Sequence, residues 1–336
     1  MSPIEMTSAD KISTRAWVRF LLIAACPTVV MLAIVSAALI YIDPYWVWRA
    51  SPPWLIEGRT ANDNLDNKMR FVKAIAAAQQ NAELVWVGSS RVYRGVNVGC
   101  LAERAYNLGV AGMMLDEAQT YIRLTSQRVR PRAIVVGLDY FMFGSLDRPD
   151  PIDPAASSVG WQLQARLQSL VSRDAISDAW KLPTRSATTD GRWLPNGFKE
   201  TVPRSGGYTT SVQNGLKLGR IRTDPRLMSL LPAIFDEAKR SGVNFKFYIG
   251  PESDAYLALI KRDGDWQDFQ AWRAYVAETA KQKGVEFVDL AEDHPFAHFD
   301  WSAGSSDTWI DSMHFAPPVG LYVAKALGLA PASARC

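Results

Sequence analysis

The sequence predicts an α/β fold, a three-layer sandwich around a mostly parallel five-stranded sheet, with one transmembrane helix in front of it. Three observations carry that expectation. Five short apolar runs alternate with longer stretches of helical periodicity. A stretch from Phe20 to Ile42 contains no charged residue at all. Finally, 336 residues with 48% hydrophobic and 21% charged side chains are enough to bury a sizeable core.

The anchor comes first. At about 1.5 Å of rise per residue the uncharged run reaches roughly 34 Å, enough to cross the hydrocarbon core of a bilayer. Lys11, Arg15 and Arg19 precede it and only Arg49 follows closely, so the positive-inside bias makes 1–19 a cytoplasmic tail. Everything after Asp43 then lies outside, and Tyr41, Tyr45, Trp46, Trp48 and Trp54 read as an interfacial aromatic belt. A cleaved signal peptide fits less well, because Leu39-Ile40-Tyr41-Ile42 continues the apolar run past the small residues. A lipoprotein site at Cys26 has too little apolar sequence before it, and a soluble core helix would show a polar face.

Residues 43–80 read as a connector with Pro52-Pro53 and a leading helix near Leu65–Gln79. An outer domain over 81–330 follows. Its expected strands are Leu84–Gly88, Ala105–Leu108, Ala133–Leu138, Asn244–Ile249 and Val285–Leu290. Helices are expected near Leu115–Gln127, Pro225–Arg240, Trp266–Lys283 and Val319–Leu327. The segment 144–222, rich in Ser, Thr, Gly, Pro and Arg, reads as an insertion with one helix at Trp161–Leu170. In such sheets the site lies beyond the carboxyl ends of the strands.

Composition removes several classes of function. A net charge of +3 from 37 basic and 34 acidic residues, without a dense basic block, gives no field for nucleic acid. No glycine-rich nucleotide motif is present, and no cofactor is expected. Cys26, Cys100 and Cys336 are too few for a disulfide framework and lack zinc spacing. Asp293, His294, His298 and Asp300 have ligand chemistry, but Pro295 interrupts any helix that would align them, so no metal is expected. Asp263, Asp265 and Asp268 read as the acidic start of a helix whose Trp266, Phe269, Trp272, Tyr275 and Val276 form core.

Two motifs can carry chemistry. Gly88-Ser89-Ser90-Arg91 places hydroxyls directly after the first strand, where a nucleophile needs a base and backbone N–H groups around it. Asp311-Ser312-Met313-His314 spans one helical turn, which would set a carboxylate on Nδ1 and leave Nε2 free to face a serine. Only three histidines exist, His294, His298 and His314, so any histidine chemistry must use one of them.

Together with Asn107-Leu108-Gly109-Val110-Ala111-Gly112 after the second strand, and Gly320 beyond the histidine, these blocks resemble the SGNH (GDSL-like) hydrolase superfamily. The resemblance covers roughly 84–328 and is closest to membrane-anchored members serving O-acylation of envelope polysaccharides. It implies a flavodoxin-like sandwich, with Ser90 as nucleophile, His314 as base and Asp311 as its orienting partner. It also implies backbone donors at Ser90 and Gly112 for an oxyanion hole. The family's third donor is an asparagine after strand three, where this chain has Asp139, a carboxylate that would repel an oxyanion. Asp139 is expected to stay protonated, to turn toward Arg91 or Arg94, or to mark an inactive site.

The function this implies is a serine esterase or O-acyltransferase in the inner membrane with a periplasmic domain. It would act on an acyl donor or acylated glycan, with Arg91 and Arg94 as substrate-binding residues and 144–222 lending acceptor specificity. A membrane-bound acyltransferase is an implied partner. The alternative is a non-catalytic, SGNH-derived glycan-binding or assembly protein.

Overall fold

Alternation along each strand builds the two faces of the sheet. The computed structural model describes residues 8–49, 62–144, 151–170, 172–184, 191–201, 221–298 and 306–330. Strands β1 (Leu84–Gly88), β2 (Ala105–Gly109) and β3 (Ala133–Leu138) come first, then a two-stranded hairpin, β4 (Arg192–Trp193) and β5 (Lys199–Glu200). β6 (Asn244–Ile249) and β7 (Glu286–Asp289) complete the five-stranded sheet, whose order is β2-β1-β3-β6-β7 and whose pairings are all parallel. Val85, Val87, Ile134, Val136, Phe245 and Phe247 point to one face; Leu84, Trp86, Ala133, Val135 and Tyr248 point to the other. Both faces are buried, which is why these strands read as continuous apolar runs.

Helices cover both. In chain order they are α1 (Ser8–Ile42), α2 (Asn62–Ala77), α3 (Ser90–Gly95), α4 (Leu115–Leu124), α5 (Val159–Ser169), α6 (Arg173–Lys181), α7 (Pro225–Arg240), α8 (Asp254–Arg262), α9 (Trp266–Lys283) and α10 (Pro317–Ala326). The first face carries α2, α4, α7 and α9, with Ile75, Ile122, Phe235, Phe269 and Trp272 in its core. The second carries α3 and α10, through Val92, Val96, Val319 and Val323. Asp224 caps α7, and Gly284, at φ 60°, ends α9 in the left-handed conformation that only glycine adopts freely.

Several expectations are corrected. α4 stops at Leu124 and continues as a single π-helical turn over Thr125–Val129. α8, α6 and the β4–β5 hairpin were not anticipated, and the insertion therefore carries two helices among its described residues. Cys100 is disulfide-bonded to a partner outside the described residues, and Cys26 is free. Pro52-Pro53, Trp54, Asp300 and Cys336 also fall outside the described residues, as does the side chain of Lys11.

α1 contains a stretch, Thr14–Ile42, long and apolar enough to span a membrane. Of the aromatic residues expected in an interfacial belt, Tyr41 is exposed on α1, but three others belong to the core. Tyr45 and Trp46 are buried in the core, and Trp48 packs against it. The chain turns sharply here: the Asp43 carboxylate accepts the backbone N–H groups of Val47, Trp48 and Arg49 at 2.7–2.9 Å. Tyr45 Oη donates to Asp178 Oδ2 at 2.8 Å and Trp48 Nε1 to Ser169 Oγ at 3.1 Å, so the exit from α1 is bolted to α5 and α6.

The tightest packing lies between α3 and α10. A Cβ on Gly320 would sit 2.0 Å from the carbonyl oxygen of Gly95, and one on Gly95 would sit 2.2 Å from the ring of Phe315. Gly320→Ala therefore forces α10 off α3 and lowers the unfolding free energy by roughly 1–3 kcal/mol, measured by denaturant titration. Unchanged stability would contradict this packing.

Candidate active site

β1 ends at Gly88, and the chain turns at once into α3. Ser89 is the cap: its Oγ accepts the N–H of Arg91 at 3.1 Å. That capping places Ser90 at the first helical position, half-buried beyond the carboxyl edge of the sheet. Asn107, buried within β2, fixes the same helix from the side. Its Nδ2 donates to the carbonyls of Val92 at 2.9 Å and Val96 at 2.8 Å.

His314 reaches Ser90 from 224 residues away. Its Nε2 lies 2.8 Å from Ser90 Oγ, and its Nδ1 lies 2.8 and 2.7 Å from the two oxygens of Asp311. The Asp311–His314 segment is a bend rather than the helical turn expected from its spacing. The Asp311 carboxylate closes that bend by accepting the N–H groups of Met313 at 2.9 Å and His314 at 2.8 Å. A short antiparallel bridge between Trp309 and Phe315 pins the loop, and Trp309 Nε1 donates to the carbonyl of Phe296 at 2.8 Å.

Electrostatics assign the protons. Burial works against the Asp311 charge, but His314 and the two backbone N–H groups outweigh it and hold the carboxyl at about 2. An ionised carboxylate only accepts, so Nδ1 carries a hydrogen; in the neutral imidazole that tautomer leaves the Nε2 lone pair facing the Ser90 hydroxyl. Ser90, His314 and Asp311 thus form one hydrogen-bonded line, in the order an activated serine requires.

The other expected residues separate. Asp139 bonds to Arg91 and to Ser89, the neighbour of Ser90: its Oδ1 accepts from Arg91 Nη1 at 3.1 Å and its Oδ2 from Ser89 Oγ at 2.5 Å. Arg91 is therefore not a substrate contact. It is buried, bound also to Glu252 Oε1 at 2.5 Å and to the carbonyl of Pro251, with its guanidinium 5.4 Å from the centre of the Phe315 ring. Burial opposes its charge, yet Glu252 and Asp139 raise its pKa further above the usual range. Burial also pushes the Glu252 carboxyl up to about 7, with Arg91 working in the other direction.

Arg94 differs. It is half-buried and its Nε lies 3.5 Å from Tyr93 Oη; burial opposes its charge, but Tyr93, Asp311 and Asp66 raise its pKa. Gly112 sits in the turn after β2 at φ 56°, with open space where a Cβ would point. The N–H groups of Ser90 and Gly112 donate to no acceptor among the described residues. The two outlying histidines have other neighbours among the described residues. His294 Nε2 lies 2.9 Å from the carbonyl of Glu252 and its Nδ1 accepts from Phe296 N–H, while His298 lies exposed beside Asp254 at 3.4 Å.

Three supporting residues were missed from sequence: Asn107 as a clamp, Glu252 and Lys73. Lys73 on α2 is buried and donates to the carbonyls of Gly109 at 2.6 Å and Gly197 at 2.7 Å, 4.8 Å from the Trp193 ring centre. Burial pulls its ammonium well below the usual range, with Asp66 opposing. A lone lysine inside Phe71-Val72-Lys73-Ala74-Ile75, and an asparagine inside a strand, were the available signals. Glu252 had none, since its partner Arg91 lies 161 residues away.

A cleft of about 670 Å³, lined by residues of α2 and of the chain after α1, does not include Ser90, His314 or Asp311. Arg70, one of its lining residues, donates to the carbonyl of Ala111 at 2.7 Å, next to Gly112.

Arg91→Ala strands Asp139 and Glu252 as buried, unpaired carboxyls and costs about 3–5 kcal/mol of stability. Arg94→Ala stays within about 1 kcal/mol. Thermal unfolding of both variants checks this, and equal losses would contradict the separation of the two arginines. Compared with known proteins, the chain matches no family model and no curated protein.

Proposed function

We propose that this chain is a membrane-tethered, SGNH-like serine esterase or O-acyltransferase acting on ester groups of envelope glycans. The observation that carries the proposal is the 2.8 Å contact between Ser90 Oγ and His314 Nε2, with Asp311 seated on Nδ1. The strand order β2-β1-β3-β6-β7 and the place of Ser90 after β1 support the SGNH-like, flavodoxin-like reading.

In the proposed reaction, Ser90 Oγ attacks the ester carbonyl while His314 Nε2 takes the hydroxyl proton. The tetrahedral oxyanion is met by the N–H groups of Ser90 and Gly112. Asp311 remains ionised and stabilises the imidazolium. His314 then gives its proton to the departing alkoxide, leaving an acyl-serine. Water or a sugar hydroxyl attacks that ester, again losing its proton to His314, and Ser90 Oγ recovers a proton as it leaves. Arg94, at the rim beside Tyr93, is the cation placed to orient an anionic or polar substrate group.

The positive-inside bias supports a cytoplasmic amino terminus and a periplasmic domain. The disulfide at Cys100 supports the same orientation, because such bonds persist in oxidising compartments. A membrane-bound acyltransferase is a fitting donor-side partner. A second reading, a non-catalytic glycan-binding protein, is favoured by one observation: the place of the family's third donor holds Asp139, committed to Arg91 and Ser89. Glycan binding without ester turnover would select it.

On a chromogenic acetyl ester, Ser90→Ala and His314→Ala each lower kcat/KM by roughly 10³-fold or more. Unchanged turnover in both removes the assigned roles. The pH profile is a second check. The folded pKa of Asp311, about 2, lies below its unperturbed value of 3.8, so its stabilising charge is present above about pH 4 and lost as pH falls toward 2. In a Glu252→Gln background, which removes the buried carboxyl held at about 7, the acid limb above pH 4 therefore has the slope of a single proton. A two-proton slope there would contradict the assignment.

A further inference from the structure

Among the described residues, every exposed large hydrophobic side chain lies on α1 or on the α5–α6 pair. Val159, Leu163 and Leu167 recur at four-residue spacing along α5, and Ile176 and Trp180 do so along α6; Trp180 is 84% exposed. Gln162 on α5 and Asp178 on α6 are buried instead. Gln162 Nε2 donates to the carbonyls of Ala74 and Ala156, and Asp178 receives Tyr45 Oη. An apolar stripe turned outward from a soluble body needs a covering surface.

The position of α1 identifies that surface. α6 packs against α1, and the side of α1 facing the domain is marked by Val35, Leu39 and Ile42. Those residues are the last two turns of the uncharged run. At about 1.5 Å per residue, Val35 lies about 10 Å below the end of that run. An element packed there shares the depth of the outer leaflet.

We propose that α5 and α6 lie in the outer surface of the bilayer that α1 crosses, with Val159, Leu163, Leu167, Ile176 and Trp180 buried among the lipids. Depth of about 5–10 Å is ordinary for an interfacial helix. Arg173 and Lys181, exposed at the two ends of α6, stand at headgroup level, as cations do beside interfacial tryptophan. Lys68 on α2, paired with Asp174, and Trp48, bonded to Ser169, hold the platform rigidly to the domain. The cleft lined by Tyr45, Arg70 and Gln168 then opens at headgroup level.

The inference rests on α1 spanning the membrane, and the test separates the two. Full-length protein in phosphatidylethanolamine–phosphatidylglycerol nanodiscs, in a Cys26→Ser background, is spin-labelled singly at Leu163→Cys, Trp180→Cys, Leu32→Cys and Gln282→Cys. Collision with oxygen is compared with collision with a water-soluble nickel chelate. The oxygen-to-nickel ratio at 163 and 180 is expected to exceed that at exposed Gln282 several-fold and to share its sense with Leu32. An aqueous ratio at 163 and 180 with a lipid ratio at 32 overturns the platform and leaves the anchor. An aqueous ratio at 32 as well removes both. Spin–spin broadening at 163 without oxygen preference assigns the face to a second copy and also overturns the proposal.

Discussion

One buried cation organises the functional end of this molecule. Arg91 follows β1, Asp139 follows β3, and Pro251 and Glu252 follow β6, so a single guanidinium ties together the carboxyl ends of three adjacent strands. A charge this deep is tolerated only because carboxylates and a carbonyl meet it. Its fourth neighbour is the ring of Phe315, the residue directly after His314. The hub thus holds α3, and with it Ser90, in register with the loop that delivers the imidazole. It also gives Asp139 an occupation: both of its carboxylate oxygens are engaged, one by Arg91 and one by Ser89.

The second constraint is close approach. Gly95 and Gly320 let the backbones of α3 and α10 meet at a distance that admits no Cβ, and Phe315 fills the space against Gly95. Trp309, fully buried, and its bridge to Phe315 hold the preceding loop. Serine and histidine, 224 positions apart, therefore meet through rigid packing of the second sheet face. The hydrogen bond between them is the product of that packing.

Much of this was legible in the residues. β1, β3 and β6 match their expected bounds, and so do α7 and α9, because buried parallel strands are short apolar runs and both helices have clear stops. The pairing of Gly88-Ser89-Ser90 with Asp311-x-x-His314 was visible as two local motifs. What was not visible depends on distance. The pairing of Asp139 with Arg91 was one of the expected outcomes, but the burial of Arg91 was not, because its second carboxylate, Glu252, lies 161 positions away. Tyr45 and Trp46 have the composition of a membrane belt, and only their docking under the Asp43 turn shows them to be core. In the insertion, the apolar outward stripe of α5 defeats periodicity, which reads leucines as interior.

α1 and the α5–α6 pair are tied to the body of the fold, since the exit from α1 is bonded to α5 and α6 while Arg70 on α2 bonds the turn before Gly112. Everything functional still turns on whether Ser90 is a nucleophile activated by His314. Mass analysis of the full-length protein after reaction with a fluorophosphonate tests this most directly. The account predicts one adduct per chain, on the peptide carrying Ser90, formed far more slowly when His314 is replaced. An unmodified Ser90, or a rate indifferent to His314, would contradict it.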